Sequence, residues 1–314
     1  MTTYNGERYI IEQLESLLMQ TCKADEVVIV DDCSTDLTPN IVNEFILIHS
    51  LANWKFLVRS ENQGYVRTFR EALSLTTGDV IFLCDQDDVW VIDKIKVMKE
   101  EMISNKKICM LSCSDIMVDE HLKQLSIKKK LIANKYITKH VKGSVRRIHG
   151  ACIRLNDFSG AIGCLCAITR SLCDKYLQMP IYTTAHDYAL ARLAELQGGY
   201  YFVNIPLVYY RRHSSNITNP NQKESEIACR IYGMEIELKD FKDLPIIFNC
   251  KQIINKYFIR RKHYLELRYS FLNQRDYKAF LLYTLYSIRR PWKLKTHLRL
   301  ASDLFFVLKE RLSG

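Results

Sequence analysis

The first two-thirds of the chain alternates between a helix-like and a strand-like pattern of hydrophobic positions. Residues 7–20 place apolar side chains three and four positions apart, which is the spacing of one helix face. Residues 26–30 form a short, β-branched apolar run that ends at Asp31 and Asp32. A second strand, residues 79–84, ends in the same way at a group of carboxylates. Helices between such unpatterned strands predict an α/β fold, with a mostly parallel sheet covered by helices on both faces.

The same two patterns continue toward the middle of the chain. We predict helices at residues 38–49 and 66–75, and apolar strand segments at residues 108–113 and 202–210. Residues 122–150 are basic and poorly patterned, which indicates a mobile loop. Because parallel sheets bind ligands at the carboxyl ends of their strands, the two acidic groups lie where a ligand is expected.

The charge of the chain changes near residue 224. Residues 225–314 hold 18 Lys and Arg against 9 Asp and Glu, whereas the preceding residues hold 27 against 26. Nearly all of the net charge of +10 therefore belongs to the last segment, which has long amphipathic stretches broken at Pro245 and Pro291. We predict one domain over residues 1–223 and a basic helical region over residues 224–314.

A basic helical region suggests nucleic acid or anionic lipid as its partner. The acidic groups of the preceding domain would repel a phosphate backbone, so we expect no nucleic-acid binding. Aromatic residues lie between the basic ones, which suits a membrane surface. A helical bundle with a solvated basic face remains the alternative.

The cysteine content and hydropathy limit the location of the protein. None of the eleven cysteines belongs to a C-x-x-C pair, so we expect free thiols in a reducing compartment, with a zinc site as the weaker alternative. No stretch reaches the roughly 18–20 apolar residues that a membrane-spanning helix needs. We therefore expect a cytoplasmic protein, either free or peripheral on the inner face of the plasma membrane.

The segment Asp85-Gln86-Asp87-Asp88 carries the strongest chemical signal. Three carboxylates in four residues repel one another, and a bound cation commonly offsets that cost. Their oxygen ligands suit Mn²⁺ or Mg²⁺, which often bridge to phosphate groups. The alternative is a solvated acidic turn. The apolar strand before the segment and the Val89-Trp90 pair after it favour the metal site.

Three further features have a structural explanation beside the functional one. Asp31 and Asp32 could simply favour the positive end of the following helix. Asp187, which follows His186 at the start of an apolar helix, could be a cap. His213 follows a strand-like run, where a lone histidine is more often structural than a ligand.

Taken together, these segments resemble the family 2 glycosyltransferases, and within them the bacterial rhamnosyltransferase-like branch. They occur in the family's order over residues 2–218. The segments are TTYNGERYIIEQLESLLMQT (2–21), VVIVDDCSTDLT (27–38), ENQGYVRTFREAL (61–73), GDVIFLCDQDDVWVIDKI (78–95), FSGAIGCLCAITR (158–170) and HDYALARLAELQGGYYFVNIPLVYYRRHSSNIT (186–218). The resemblance implies a GT-A-type fold, a nucleoside-diphosphate sugar donor and a divalent metal.

The resemblance also implies roles for individual residues. Asp187 matches the general base, and Asp32 is expected to face a pyrimidine ring. Asp87 and Asp88 match the acidic pair that holds the ribose and the metal. The nucleotide-sugar-binding set is Thr2, Tyr4, Glu7, Asp32, Asn62 and Asp87, and the metal set is Asp85, Asp88 and His213.

The implied reaction agrees with the residue types. An inverting transfer needs a carboxylate that takes a proton from the acceptor hydroxyl, and a cation that neutralises the departing diphosphate. Arg211 or Arg212 is a candidate to assist the diphosphate. The donor is expected to carry deoxythymidine diphosphate and rhamnose, with uridine-diphosphate sugars as the alternative. The expected acceptor is a cell-surface polysaccharide or a lipid-linked glycan.

The N-terminus departs from the family pattern. The family has a strand ahead of the TTYN segment, whereas here Met1 stands where that strand would end. We therefore expect the first strand to be missing, either because the true start lies upstream or because the chain is truncated. A catalytically inactive relative that only binds nucleotide is the alternative function.

Overall fold

The computed structural model describes residues 1–125, 145–147, 162–180, 185–214, 216, 234–235, 238, 256–288, 303–305 and 307. The chain divides into two compact units. The first comprises residues 1–152 and 157–219, and the second comprises residues 153–156 and 220–314.

Strands and helices alternate through the first unit as the hydrophobic pattern predicts. The strands are β1 (Thr2–Thr3), β2 (Val27–Asp31), β3 (Trp54–Val58), β4 (Val80–Phe82), β5 (Val89–Trp90), β6 (Met110–Val118), β7 (Val145–Arg147), β8 (Cys166–Thr169) and β9 (Tyr200–Arg211). The helices are α1 (Ile10–Leu18), α2 (Thr38–Ile48), α3 (Tyr65–Ser74), α4 (Lys94–Ser104), α5 (Arg170–Gln178) and α6 (His186–Leu196). The α/β class is therefore confirmed.

The three-stranded sheet is parallel throughout, as predicted, whereas the six-stranded sheet is mixed. In the three-stranded sheet, β2 lies between β1 and β3 and is parallel to both. The six-stranded sheet has the order β4-β8-β6-β9-β5, with β7 also beside β9. Its strands pair antiparallel except for β6 with β9. An apolar run without alternation indicates that a strand is buried on both faces. It does not indicate whether the neighbouring strand is parallel or antiparallel.

The first strand is present as a short remnant, which corrects the expectation that it is missing. Thr2 pairs with Val30 and Thr3 with Asp31. The Val30 amide donates to the Met1 carbonyl at 3.1 Å, and the Met1 amino group donates to the Val28 carbonyl at 2.7 Å. Without β1, backbone groups along one edge of β2 would be unpaired, and these hydrogen bonds therefore hold β1 in the sheet.

The core of the first unit lies between the sheets and their helices. Ile10 and Leu14 of α1, Ile29 of β2, Met98 of α4 and Leu111 of β6 are all fully buried in one apolar cluster. These helices cover the sheet faces and leave the ends of β1, β4 and β9 open to build a site.

The range 122–150, predicted as a loop, contains a strand. Residues Val145–Arg147 form β7 and pair antiparallel with β9. Residues 126–144 and 148–150 lie outside the described residues, as do Pro245 and Pro291, so the other features predicted there are not described.

The second unit is helical in its described part, as predicted. It contains α7 (Lys256–Gln274) and α8 (Tyr277–Ile288), separated at Arg275, whose φ is 58°. Its core holds Tyr264, Phe271 and Tyr283. Among the helices that the structure describes, none has the length and hydropathy needed to cross a bilayer.

Candidate active site

The acidic segment Asp85-Gln86-Asp87-Asp88 forms a turn after β4, and the end of β9 meets it there. Asp87 Oδ2 lies 2.9 Å from His213 Nε2 and accepts a hydrogen bond from Asn216 Nδ2 at 3.2 Å. The His213 ring packs against the Tyr9 ring, with 4.7 Å between centroids. The structure therefore brings His213 to Asp87, although we had grouped it with Asp85 and Asp88.

Asp88 is buried behind this contact. Its Oδ1 accepts the Arg211 amide hydrogen at 3.0 Å. Its Oδ2 has no hydrogen-bond partner in the described part of the chain. Burial, followed by the charges of Asp87 and Asp85, raises the pKa of Asp88 well above its ordinary value. A buried carboxylate oxygen without a partner suits a bound cation.

Asp85 lies beside Asp88 and the thiol of Cys164, and one ligand atom from each falls within 4.8 Å of the others. Burial, followed by the charges of Asp87 and Asp187, raises the pKa of Asp85 to about 7. Burial also raises the pKa of Cys164 well above its ordinary value, so the thiol stays neutral. The two carboxylates supply hard oxygen ligands that fit Mn²⁺ or Mg²⁺, whereas a neutral thiol does not add a strong ligand.

Arg211 supports the acidic turn from beneath. Its side chain is fully buried and donates to the Asp87 carbonyl at 2.8 Å and the Glu120 carbonyl at 2.6 Å. It also forms an ion pair with Glu12 of α1, and its guanidinium lies 4.6 Å from the centroid of the Tyr9 ring. These contacts hold the Arg211 side chain in the protein interior, and its assistance to a diphosphate stays a prediction. Arg212, next in the chain, is only half-buried.

The carboxylate of Asp187 lies in the first turn of α6. Its Oδ2 accepts the Gly163 amide hydrogen at 3.0 Å, and its Oδ1 accepts that of Tyr188 at 2.7 Å. Burial raises the pKa of Asp187 to about 6, against the opposing effect of these hydrogen bonds. Gly163, which donates to Asp187, is followed by Cys164, whose thiol lies within 4.8 Å of ligand atoms of Asp85 and Asp88, so this short segment joins Asp187 to the acidic turn.

His186, beside Asp187, is a buried aromatic element. Its ring stacks on Phe69 of α3 with 3.6 Å between centroids. Burial lowers the pKa of His186 to about 3, so the ring is neutral. It fixes the start of α6 against α3.

The segment from Thr2 to Glu7 docks on the acidic turn through Gln86. The Gln86 amide accepts from the Tyr4 nitrogen at 2.8 Å and donates to the Tyr4 carbonyl at 2.9 Å. A Cβ atom on Gly6 would lie 2.3 Å from Gln86 Oε1, so any larger residue there would displace the Gln86 side chain from Tyr4. Thr2 and Tyr4 are thus tied to the same edge as the carboxylates.

The remaining predicted donor-binding residues bond to backbone amides near helix starts. The Asp32 carboxylate accepts from the amides of Gln63 at 2.9 Å and Gly64 at 2.8 Å, just before α3. Asn62 accepts from Gly64 at 3.2 Å. Glu7 accepts from the Leu37 amide at 2.9 Å, just before α2. These side chains shape the loops before both helices.

Three residues of the site carried no recognised signal in the sequence. Gln86 stands at the variable position of the acidic motif, and Arg211 was assigned to a different task. Lys94 is fully buried, donates to the Cys164 carbonyl and lies 3.5 Å from the centroid of the Trp90 ring. Its charge lowers the pKa of Asp85. In the sequence, the only signal for Lys94 was its position at the start of α4, shortly after the acidic segment.

Curated relatives share parts of this chain. The dTDP-rhamnosyl transferase RfbG of Shigella flexneri is 37% identical over 119 residues, which is 36% of this chain and 40% of RfbG. The putative teichuronic acid biosynthesis glycosyltransferase TuaG of Bacillus subtilis is 27% identical over 241 residues, 76% of this chain and 87% of TuaG. An uncharacterized protein of Mycobacterium tuberculosis matches over only 28% of its own length. The chain thus spans well under two-thirds of some of these relatives.

Solved structures share its fold. TarS of Staphylococcus aureus, in complex with UDP-GlcNAc, superposes with a TM-score of 0.59 at 18% identity, covering 98% of this chain and 79% of TarS. The mannosyltransferase PcManGT of Pyrobaculum calidifontis, in complex with GDP-Man and Mn²⁺, gives a TM-score of 0.53 at 20% identity, with the same two coverages. The fold is therefore of the GT-A type, as the resemblance implied.

A family model, Glycosyl transferase family 2, matches residues 1–177. This range contains the Thr2–Glu7 segment, the loop before α3 and the acidic turn. Because the match covers more than half of the chain, this protein belongs to glycosyl transferase family 2.

Proposed function

We propose that the chain is an inverting, metal-dependent glycosyltransferase that moves a sugar from a nucleoside-diphosphate donor to a cell-surface glycan. Residues 1–223 form its catalytic domain, and residues 224–314 form a separate basic helical region. The observation that supports this most directly is that the consecutive residues Gly163 and Cys164 contact Asp187 on one side and Asp85 and Asp88 on the other. A proton acceptor and a cluster of oxygen ligands then face the same substrate.

Asp187 is the general base of this reaction. An inverting transfer requires a carboxylate to take the proton of the acceptor hydroxyl as that oxygen attacks the anomeric carbon. A carboxyl group with a pKa of about 6 is ionised at neutral pH, yet it is more basic than an ordinary aspartate. The Gly163 and Tyr188 amides hold this carboxylate in one orientation.

The acidic turn is proposed to hold the divalent cation. Asp85, Asp87 and Asp88 supply oxygen ligands, and His213 reaches the same turn through Asp87. When bound there, Mn²⁺ or Mg²⁺ would neutralise the negative charge that develops on the departing nucleoside diphosphate. Arg211 and Lys94 keep the turn in place from beneath.

The nucleoside is proposed to lie along the segment of Thr2 and Tyr4 and the loop before α3. Gln86 joins Tyr4 to the acidic turn, so base, ribose and diphosphate would occupy one continuous edge. Asp32 and Asn62 shape this edge by fixing the backbone of residues 62–64. Glu7 fixes the neighbouring loop before α2.

We favour rhamnose carried by deoxythymidine diphosphate as the donor, because RfbG, which is 37% identical to this chain over 119 residues, bears the name of a dTDP-rhamnosyl transferase. Uridine-diphosphate sugars are the second candidate, since TarS was solved with UDP-GlcNAc. The acceptor is proposed to be a polysaccharide or lipid-linked glycan at the inner face of the plasma membrane, in line with the name of TuaG.

Donor hydrolysis tests the proposal. Purified full-length protein is incubated with dTDP-rhamnose or UDP-GlcNAc, in Mn²⁺, Mg²⁺ or EDTA, and release of nucleoside diphosphate is measured. We expect release with one donor, dependent on the metal. The Asp187→Asn variant serves as the matched control for an enzyme that binds donor but transfers slowly. Metal-dependent nucleotide binding without any release, in the presence of bacterial membrane glycolipid, would instead identify an inactive relative.

A further inference from the structure

Helix α8 is apolar on two opposite faces. One face packs into the second unit, where Ala279 and Tyr283 are buried and Phe280 lies 4.4 Å from Phe271 between ring centroids. The other face is exposed and consists of four apolar side chains at helical spacing. Their exposed fractions are 44% for Tyr277, 63% for Leu281, 48% for Leu282 and 52% for Leu285.

This exposed face, Tyr277–Leu281–Leu282–Leu285, is unusual for a helix at a protein surface. A surface helix normally places polar residues opposite its buried stripe, and apolar residues all round indicate that both sides are covered. Three adjacent leucines form a contiguous patch rather than scattered single residues, and such patches mark interaction sites. We therefore expect this face to be covered by a partner.

The charge of the sequence segment that contains the face indicates the chemistry of that partner. From Tyr277 to Ser302 the sequence holds six Lys and Arg and no Asp or Glu. Lys278 is exposed on α8 itself, and the sequence continues directly from the helix into Arg289, Arg290 and Trp292. Exposed leucines in a segment rich in Lys and Arg are typical of a helix that lies in the plane of an anionic bilayer.

Two other partners fit this surface less well. A second copy of the chain would bring its own Lys278 against that of the first across this face, and like charges repel. A nucleic acid would satisfy the cations, but its phosphates would leave the leucines without an apolar contact.

We propose that the Tyr277–Leu281–Leu282–Leu285 face of α8 docks on an anionic lipid bilayer. The leucines enter the boundary between headgroups and acyl chains, and the flanking basic residues meet the anionic headgroups. The inference deepens the proposed function, because it rests on an acceptor at the membrane and names the surface that reaches it. It does not involve the donor site, so binding is measured without donor or acceptor.

Vesicle co-sedimentation of the full-length chain tests the proposal. The vesicles contain phosphatidylcholine alone or phosphatidylcholine with phosphatidylglycerol. The Leu281→Ser/Leu282→Ser/Leu285→Ser variant removes the apolar face and keeps every charge. We expect it to bind the anionic vesicles roughly 100-fold more weakly than the wild type, since each leucine loses part of its transfer free energy. Wild-type binding should weaken on neutral vesicles and at high salt.

The matched control is Leu47→Ser/Ile48→Ser, which removes two exposed apolar side chains of α2 in the first unit. It should bind the vesicles as the wild type does. Melting temperature and donor hydrolysis, compared among all three proteins, show that each variant is folded and that the donor site is untouched. Equal vesicle binding by the wild type and the triple-serine variant would overturn the proposal, as would no binding of the wild type. A wild-type dimer that the triple-serine variant abolishes would also overturn it, because the face would then join two copies.

Discussion

His213 Nε2 lies 2.9 Å from Asp87 Oδ2, and this contact joins the end of β9 to the turn after β4. The two residues are 126 positions apart in the sequence. Asn216 donates to the same carboxylate oxygen, so Asp87 is held from one side while its carbonyl accepts from Arg211. Asp87 is therefore the point at which the acidic turn and the end of β9 meet.

His213→Ala should weaken Mn²⁺-dependent binding of nucleoside diphosphate by about 10–100-fold, because a residue that orients or adds a metal ligand typically contributes that much. Isothermal titration with dTDP and UDP, in Mn²⁺ and in EDTA, measures the effect. His121→Ala is the matched control, since that side chain is 77% exposed and far along the chain from the turn. Unchanged affinity in the His213 variant would remove His213 from the metal site.

Asp88→Asn should abolish Mn²⁺-dependent nucleotide binding and leave the metal-free fold intact. The asparagine keeps an oxygen that accepts the Arg211 amide, and it removes a charge that burial and two neighbouring carboxylates disfavour. The free energy of unfolding in EDTA should hold or rise, as measured by urea denaturation. Retained Mn²⁺-dependent affinity would show that Asp88 is not a ligand.

Asp85→Asn should flatten the pH dependence of stability in EDTA. The folded protein raises the pKa of Asp85 to about 7, from about 4 for an ordinary aspartate, so it binds more protons than the unfolded chain between these values. The contribution of Asp85 to the free energy of unfolding is then fully present below pH 4 and is lost as the pH rises through 7. Melting curves from pH 4 to 8 measure this. Parallel curves for the wild type and the variant would mean that Asp85 titrates normally.

Local patterns predicted most elements of the first unit. The helices near residues 10, 38 and 65 and the strand at residues 27–31 each carry their own periodicity, so the sequence was sufficient for them. Trp54–Val58 was not predicted because β3 is short and largely exposed and has a charged residue, Lys55, at its second position. The direction of the strands could not be predicted either, because the hydrophobic pattern indicates which residues are buried and not whether neighbouring strands are parallel.

The site was predicted as a set of residues, not as an arrangement. The acidic turn and Asp187 were recognised because their residue types and order match a family. Arg211 could not be assigned from sequence, because an arginine next to Arg212 looks solvent-exposed until its contacts with Glu12 and the Asp87 carbonyl are known. Such contacts join segments more than a hundred residues apart, and no local rule encodes them.

Arg211→Met should destabilise the first unit by roughly 1–3 kcal/mol, because it leaves the carbonyl groups of Asp87 and Glu120 without their donor, whereas the half-exposed Glu12 carboxylate regains water. Urea denaturation measures this loss. Arg212→Met, at the half-buried neighbour, is the control and should change stability by no more than about 0.5 kcal/mol. Should Arg211→Met instead lower donor affinity at unchanged stability, the arginine would be a diphosphate ligand after all.

Asp187→Asn should cut turnover by ~10²–10⁴-fold and leave donor affinity nearly unchanged, because a general base acts on the acceptor hydroxyl and not on the donor. The asparagine oxygen can still accept the Gly163 amide, so the start of α6 should remain folded. The wild-type rate also carries a signature of this group. Since burial raises the pKa of Asp187 to about 6, kcat/KM should rise about tenfold per pH unit below that value and level off above it.

The pH profile of the wild type and the residual rate of the variant are measured with the donor that the hydrolysis assay identifies. The residual kcat/KM of the variant should not rise with pH below about 6 (the acid limb of the profile), because the titrating group is gone. Glu195→Gln, later in the same helix and buried, is the matched control and should keep both the rate and the limb. If donor affinity fell as far as the rate did, Asp187 would be a binding residue. If the limb survived in Asp187→Asn, the base would be another carboxyl, with Asp85 the first to examine, because burial places its pKa only about one unit higher.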